Sequence, residues 1–179
     1  MAFTNQLVRS LDDLDRRIGS NEDRGRDLEA ILDEYLLEIE AAADTDIRTS
    51  ILLLDRERTC LLHGAAPSLP KAYCEAIDGL QIGPSAGSCG TAAYLGHSIF
   101  VTDVATDPLW VDYRDLALSH ELRSCWSTPI RSDADEVIGT FAIYHSTTRA
   151  PTEEEILAVK AISGHVAGAI ARWSDAEAI

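Results

Sequence analysis

Leu7, Leu11, Leu14 and Ile18 alternate spacings of four and three, a heptad seam two repeats long. Asp12–Arg16 and Asp13–Arg17 stand at i,i+4 on its outer face, and Gly19-Ser20-Asn21 ends this first predicted helix. A second helix is predicted from Asp27 to Ala43, with Leu28, Ile31, Leu32, Tyr35 and Ile39 on one stripe. The pattern then changes. Ile51 to Leu54 is apolar on both faces, as in a central covered strand, and Arg56-Glu57-Arg58 turns it into a hairpin with Thr59–His63. Pro70 opens a short helix to Ile77, and Ser98–Thr102, Arg123–Ile130 and Val137–His145 read as three more strands. Thr152 and Glu155 form a capping box after Pro151, and Ile156, Val159, Ile162, Val166, Ile170 and Trp173 keep helical spacing beyond it.

Strands bracketed by helices predict an α+β domain, an antiparallel sheet with the terminal helices on one face. The segments from 64 to 122 cover the other, with a pocket beneath them. On Ser124–Ile130 the side chains alternate: Cys125, Ser127 and Pro129 one way, Trp126, Thr128 and Ile130 the other. Trp126 and Ile130 suit an apolar helix layer, which leaves Cys125 and Ser127 for the pocket. Phe141 and Ile143 belong to the core, while the Tyr144 hydroxyl fits either layer. A helix from Trp110 to Leu122 would put Trp110, Tyr113, Leu116, Ala117 and His120 on one face. Trp110 can be core or a stacking surface, and His120 can cap its helix or grip a ligand.

Composition narrows the function. The 179 residues, 46% hydrophobic and 25% charged, fit one globular domain, and no apolar run is long enough to span a bilayer. Without a signal-peptide pattern the expected compartment is the cytoplasm. A net charge of −15 opposes nucleic acid and anionic membrane as partners. Cys60, Cys74, Cys89 and Cys125 show no CxxC and no Cys/His ligand spacing, so reduced thiols are expected and a zinc site is not. Gly83-x-x-x-Gly87-Ser88-Cys89-Gly90 lacks the lysine of a phosphate loop, being followed by Thr91-Ala92.

The run from Ile82 to His145 joins a glycine turn and short helix, an acidic Asp-Pro turn, an aromatic helix and the Cys125-Trp126 strand. That order resembles the second half of a GAF domain, a small-molecule sensor module of signalling proteins. The similarity extends over Leu28 to Trp173 through SILLLD at 50–55 and HGAAPSLP at 63–70. The resemblance implies a ligand under the 64–122 layer, lined by Cys89, Thr91, Trp110, Tyr113, His120, Cys125 and Ser127. It also implies a relay through Trp126 and Ile130 to the terminal helices, and a histidine kinase or cyclase as output. The expected organisation is a dimerisation helix at 1–26, the GAF domain at 27–174, and a tail or signalling helix at 175–179. The heptad seam predicts a homodimer through the terminal helices.

Specialised chemistries of the family find little here. Free methionine sulfoxide reductases resemble this chain at Cys89, but their cysteines ten residues before and twenty-four after fall on Gly79 and Tyr113. The Asn-Lys…Phe…Asp-Glu signature of cyclic-nucleotide binding and the Cys-His pair of bilin binding do not occur. His120 and His145 are the haem candidates, yet no cofactor is expected. The expectation is a non-enzymatic sensor, with a structural dimerisation module whose pocket is empty as the alternative, and a thiol-dependent reductase behind both.

Overall fold

The computed structural model describes residues 2–18, 26–43 and 45–177; the expected turn at Gly19-Ser20-Asn21 lies outside them. Six strands form one antiparallel sheet: β1 (Ile47–Leu54), β2 (Cys60–Ala65), β3 (Leu80–Gln81), β4 (Ile99–Val101), β5 (Ser124–Arg131) and β6 (Val137–His145). Their spatial order is β3-β2-β1-β6-β5-β4. The two central strands, β1 and β6, are thus sequence-distant partners, with Ile51 opposite Phe141. Both faces of the centre are covered, which is why β5 is buried at every position from Ser124 to Ile130.

One face carries α1 (Ala2–Ile18), α2 (Leu28–Ala42) and α6 (Glu153–Glu177). Their stripes meet Trp126, Ile130, Phe141 and Ile143 in one core. The capping box of α6 is formed: the Glu155 amide donates to Thr152 Oγ1 at 3.2 Å, and the Thr152 amide donates to Glu155 Oε2 at 2.8 Å. The other face carries α3 (Lys71–Ile77), α4 (Gly87–Leu95) and α5 (Arg114–Ser119) over Leu52, Cys125, Ala142 and Tyr144.

Two expectations need correction. The Leu7–Leu11–Leu14–Ile18 stripe has a place inside its own chain. Leu11 is fully buried and the stripe packs with α2 and α6, so it is not an exposed dimer seam. A heptad-spaced stripe and an amphipathic core stripe have nearly the same period, and only the partner differs. The aromatic helix is also not continuous. Asp107 accepts the Leu109 amide at 2.9 Å, Pro108 starts a 3₁₀ turn ending at Trp110, and α-helix resumes only from Arg114 to Ser119. The Arg114 guanidinium holds that break by donating to the carbonyls of Val104 and Asp107. The predicted single face is therefore lost. Trp110 and Ala117 are buried, whereas Tyr113 and His120 are half-exposed.

Candidate functional site

The α4 helix reaches the sheet through two glycines. Gly87 has φ +60°, a left-handed conformation that side chains resist, and starts the helix. At Gly90 a Cβ would lie 2.7 Å from the Ala86 Cβ and 3.1 Å from the Gln81 carbonyl, so a side chain there would push the helix off β3. Close approach buries Ser88, Cys89 and Thr91. The Thr91 hydroxyl is used locally, accepting the Ala86 amide at 3.0 Å.

A cavity of about 20 Å³ lies beneath this turn, bordered by Cys89, Ser88, Trp110, Tyr113, Tyr73 and Tyr144 among others. Such a volume holds a molecule about the size of water. Of the seven residues expected to line a ligand, Cys89, Trp110 and Tyr113 border it. Thr91, His120, Cys125 and Ser127 do not. His120 caps α5 and packs edge-on against Tyr73 with ring centroids 5.8 Å apart. Trp110 combines core and site: its indole N–H donates to Ser88 Oγ at 3.1 Å, and that hydroxyl donates to the Cys125 carbonyl at 3.1 Å.

The Tyr144 hydroxyl lies 3.9 Å from the Cys89 sulfur. Ser127 Oγ and Thr140 Oγ1 are buried and have no hydrogen-bond partner among the described residues. The polar surroundings of Cys89, with Cys125 the largest influence, outweigh burial and pull its thiol down to about 7. Burial and the influence of Cys89 push Cys125 well up. Tyr73 and Thr140 are not site residues in the sequence reading, which leaves the Tyr144 hydroxyl to either layer. The signal for Tyr144 is weak: β6 alternates, but only the register Cys125 opposite Tyr144 turns that hydroxyl toward Cys89.

Behind β5, Trp126 faces the helices. Its indole N–H donates to the Arg149 carbonyl at 3.2 Å, its ring lies 4.3 Å from that of His145, and the Arg149 guanidinium sits 4.9 Å over it. Arg149 also pairs with Glu155 at 2.6 Å, inside the α6 capping box. A larger recess of about 290 Å³ opens on this face beside Trp126. It lies across the sheet from the expected pocket. Burial and Arg149 pull His145 down to about 4, so its imidazole is neutral at pH 7.

A sequence model of the GAF domain matches residues 25–171. The chain belongs to the GAF domain family. Over 130 residues it is 41% identical to a methyl sulfide methyltransferase-associated sensor of Methanosarcina acetivorans, covering 71% of this chain but 13% of that protein. A GAF domain from an Acinetobacter phosphoenolpyruvate-protein phosphotransferase superposes with TM-score 0.67 at 18% identity, over 95% of this chain and 98% of its own. A domain ascribed to a two-component sensor histidine kinase of Sinorhizobium meliloti 1021 gives 0.71 at 22% identity, over 86% and 97%. A free methionine-R-sulfoxide reductase from Neisseria meningitidis, solved with its substrate, gives 0.69 at 18%, over 93% and 89%. At these identities the structures establish the shared fold. No described helix is long and apolar enough to cross a membrane.

Proposed function

We propose that this GAF domain is a non-enzymatic cytoplasmic sensor, binding a small molecule on the α3–α5 side of the sheet and signalling occupancy through its terminal helices. The observation that carries the reading is β5. Cys125 belongs to the core under α4, and the next residue, Trp126, is tied through Arg149 and Glu155 to the first turn of α6. A shift of β5 is thereby felt at a helix start. Kinship with a sensor and a fold shared with a domain ascribed to a histidine kinase support a kinase- or cyclase-class output. A ligand pocket ordinarily measures about 300–1,000 Å³, so binding requires the 64–122 layer to lift from its present 20 Å³.

The test is a thermal-shift screen of metabolites on the intact chain, followed by hydrogen exchange. A ligand at about 100 times its Kd adds about 2.7 kcal/mol and slows exchange in α3–α5 and at the α6 start. Trp126→Phe keeps the ring but loses the bond to Arg149, so binding survives and the α6 response shrinks. A ligand that protects α3–α5 and leaves α6 unchanged would remove the relay. A screen without a shift would favour the structural module. In a homodimer through the terminal helices the stripe of α1 is already spent, and the large exposed apolar side chains among the described residues of these helices are Leu37 and Leu157. Leu37→Glu with Leu157→Glu should then lower the mass seen by light scattering.

A further inference from the structure

We propose that the recess beside Trp126 is a small-molecule site in its own right, built by the three terminal helices and taking an uncharged, chiefly apolar molecule of about ten non-hydrogen atoms. Its walls are aliphatic: Leu7 of α1, Ile39 of α2, Ile143 of β6, and Ala158, Val159 and Ile162 of α6.

Size narrows the occupant. The recess measures about 290 Å³, which at about 30 Å³ for each water-sized atom is room for about ten. One turn of a partner helix, about 10 Å across and about 5.4 Å long, already takes about 400 Å³, so a helix does not enter.

Charge narrows it further. The polar groups at the rim satisfy one another. Arg149 pairs with Glu155 at 2.6 Å and faces His145 Nε2 at 3.5 Å. The second oxygen of Glu155 accepts the Thr152 amide at 2.8 Å. His145 is neutral, so Nε2 accepts from Arg149 and the Nδ1–H donates to Ser124 Oγ at 3.2 Å. That hydroxyl donates in turn to the Thr147 carbonyl at 3.0 Å. A charged ligand would have to break this chain, whereas an uncharged one leaves it whole. Arg149 against Glu154 and Glu155 also leaves the lining negative, in a chain of net charge −15, so an anion is repelled. A cation would lose its hydration among aliphatic walls.

A molecule in this recess touches α1, α2 and α6 together, so its occupancy reaches the helices directly, without a shift of β5. The inference is independent of a ligand on the α3–α5 side, and hydrogen exchange separates the two.

The intact chain, with isoleucine, leucine and valine methyls labelled, is titrated by NMR with benzyl alcohol. Benzoate and benzylammonium, which keep the ring and add a charge of either sign, are titrated beside it. Benzyl alcohol should move the methyls of Ile39, Val159 and Ile162 and leave those of Leu61 and Val101, on the other face, in place. Both ions should bind about tenfold more weakly or worse. Ala158→Phe fills the recess from α6 and Ala43→Leu from its rim, and each should weaken benzyl alcohol about tenfold. Circular dichroism shows that the variants are folded; Ala43 is half-exposed and lies outside α2, so its substitution decides the matter where the buried one unfolds the chain. In hydrogen exchange, benzyl alcohol should slow the amides of α1 and α6 and leave α3–α5 unchanged. No methyl shift, tighter binding of benzoate, or binding indifferent to Ala43→Leu would overturn the proposal. So would a fall in mass by light scattering as benzyl alcohol binds, because the recess would then be the seat of a side chain from a second copy.

Discussion

The two faces of the sheet treat their polar groups in opposite ways. On the helix face they neutralise one another. Asp15 of α1 accepts from Tyr35 of α2 and from His165 and Arg172 of α6, the last two at 2.7 and 2.6 Å. Burial raises the Asp15 carboxyl, but these partners together hold it below its ordinary value. Burial and the Asp15 charge push the Tyr35 hydroxyl up, keeping it a donor. The result is a bolt through three helices. On the α3–α5 face, the buried hydroxyls of Ser127 and Thr140 have no hydrogen-bond partner among the described residues. Paired charges tie the three helices together; buried hydroxyls without a partner cost desolvation that nothing offsets. Burial separates the two as well: Asp15 and His165 are half-buried and Arg172 is exposed, whereas Ser127 and Thr140 are buried.

Substitutions sharpen the contrast, beginning with the largest effect. Trp126→Ala should cost about 3–5 kcal/mol in denaturant unfolding, because a fully buried ring and its bond to Arg149 are lost together. Trp110→Ala on the opposite face should cost a similar amount; a loss under about 1 kcal/mol would make Trp110 a site residue rather than core. Tyr35→Phe should cost about 1–3 kcal/mol by taking a donor from the Asp15 cluster. Ser127→Ala should fall within about 0.5 kcal/mol, since the lost hydroxyl has no hydrogen-bond partner among the described residues. Equal losses for Tyr35→Phe and Ser127→Ala would erase the distinction between the faces.

Titration should divide them too. The folded His145 titrates near 4 against an ordinary 6.5, so the unfolded chain takes the extra proton. Its contribution is complete above about pH 6.5 and is lost as pH falls toward 4. Folded Cys89 titrates near 7 against 9.0, and here the unfolded chain keeps its proton longer. Its contribution grows as pH rises from about 7 to 9. Chemical denaturation across pH should show the acid limb flattened by His145→Gln and the alkaline limb flattened by Cys89→Ser. Smallest of all, Asp13→Ala should change stability by under about 0.5 kcal/mol, because its pair with Arg16 at 3.1 Å is solvent-exposed.

Much of the architecture was legible because it rests on neighbours three, four or two residues apart. Tyr35 and Ile39 mark the buried stripe of α2, Thr152 and Glu155 mark the start of α6, and the alternation of Cys125 with Trp126 divides β5 between the layers. The site was less legible. Cys89, Trp110 and Tyr113 sit together, but His120 fell away when Asp107 and Pro108 broke the helix that would have aligned it.

Sequence alone thus determined most of the elements, the family and the two-faced strand, since backbone periodicity and capping are local; the helix expected from Trp110 to Leu122 is the exception. Tertiary structure decided what each face meets. The stripe of α1 could have joined a second chain, and only packing against α2 and α6 closes it within its own. Cys89 and Cys125 are far apart along the chain, and Thr140 and Tyr144 lie on yet another strand. Sheet order β1-β6-β5 and the descent of α4 onto β5 bring Cys89, Cys125 and Tyr144 into one core. Register and layer packing join distant residues, and no local pattern encodes those distances.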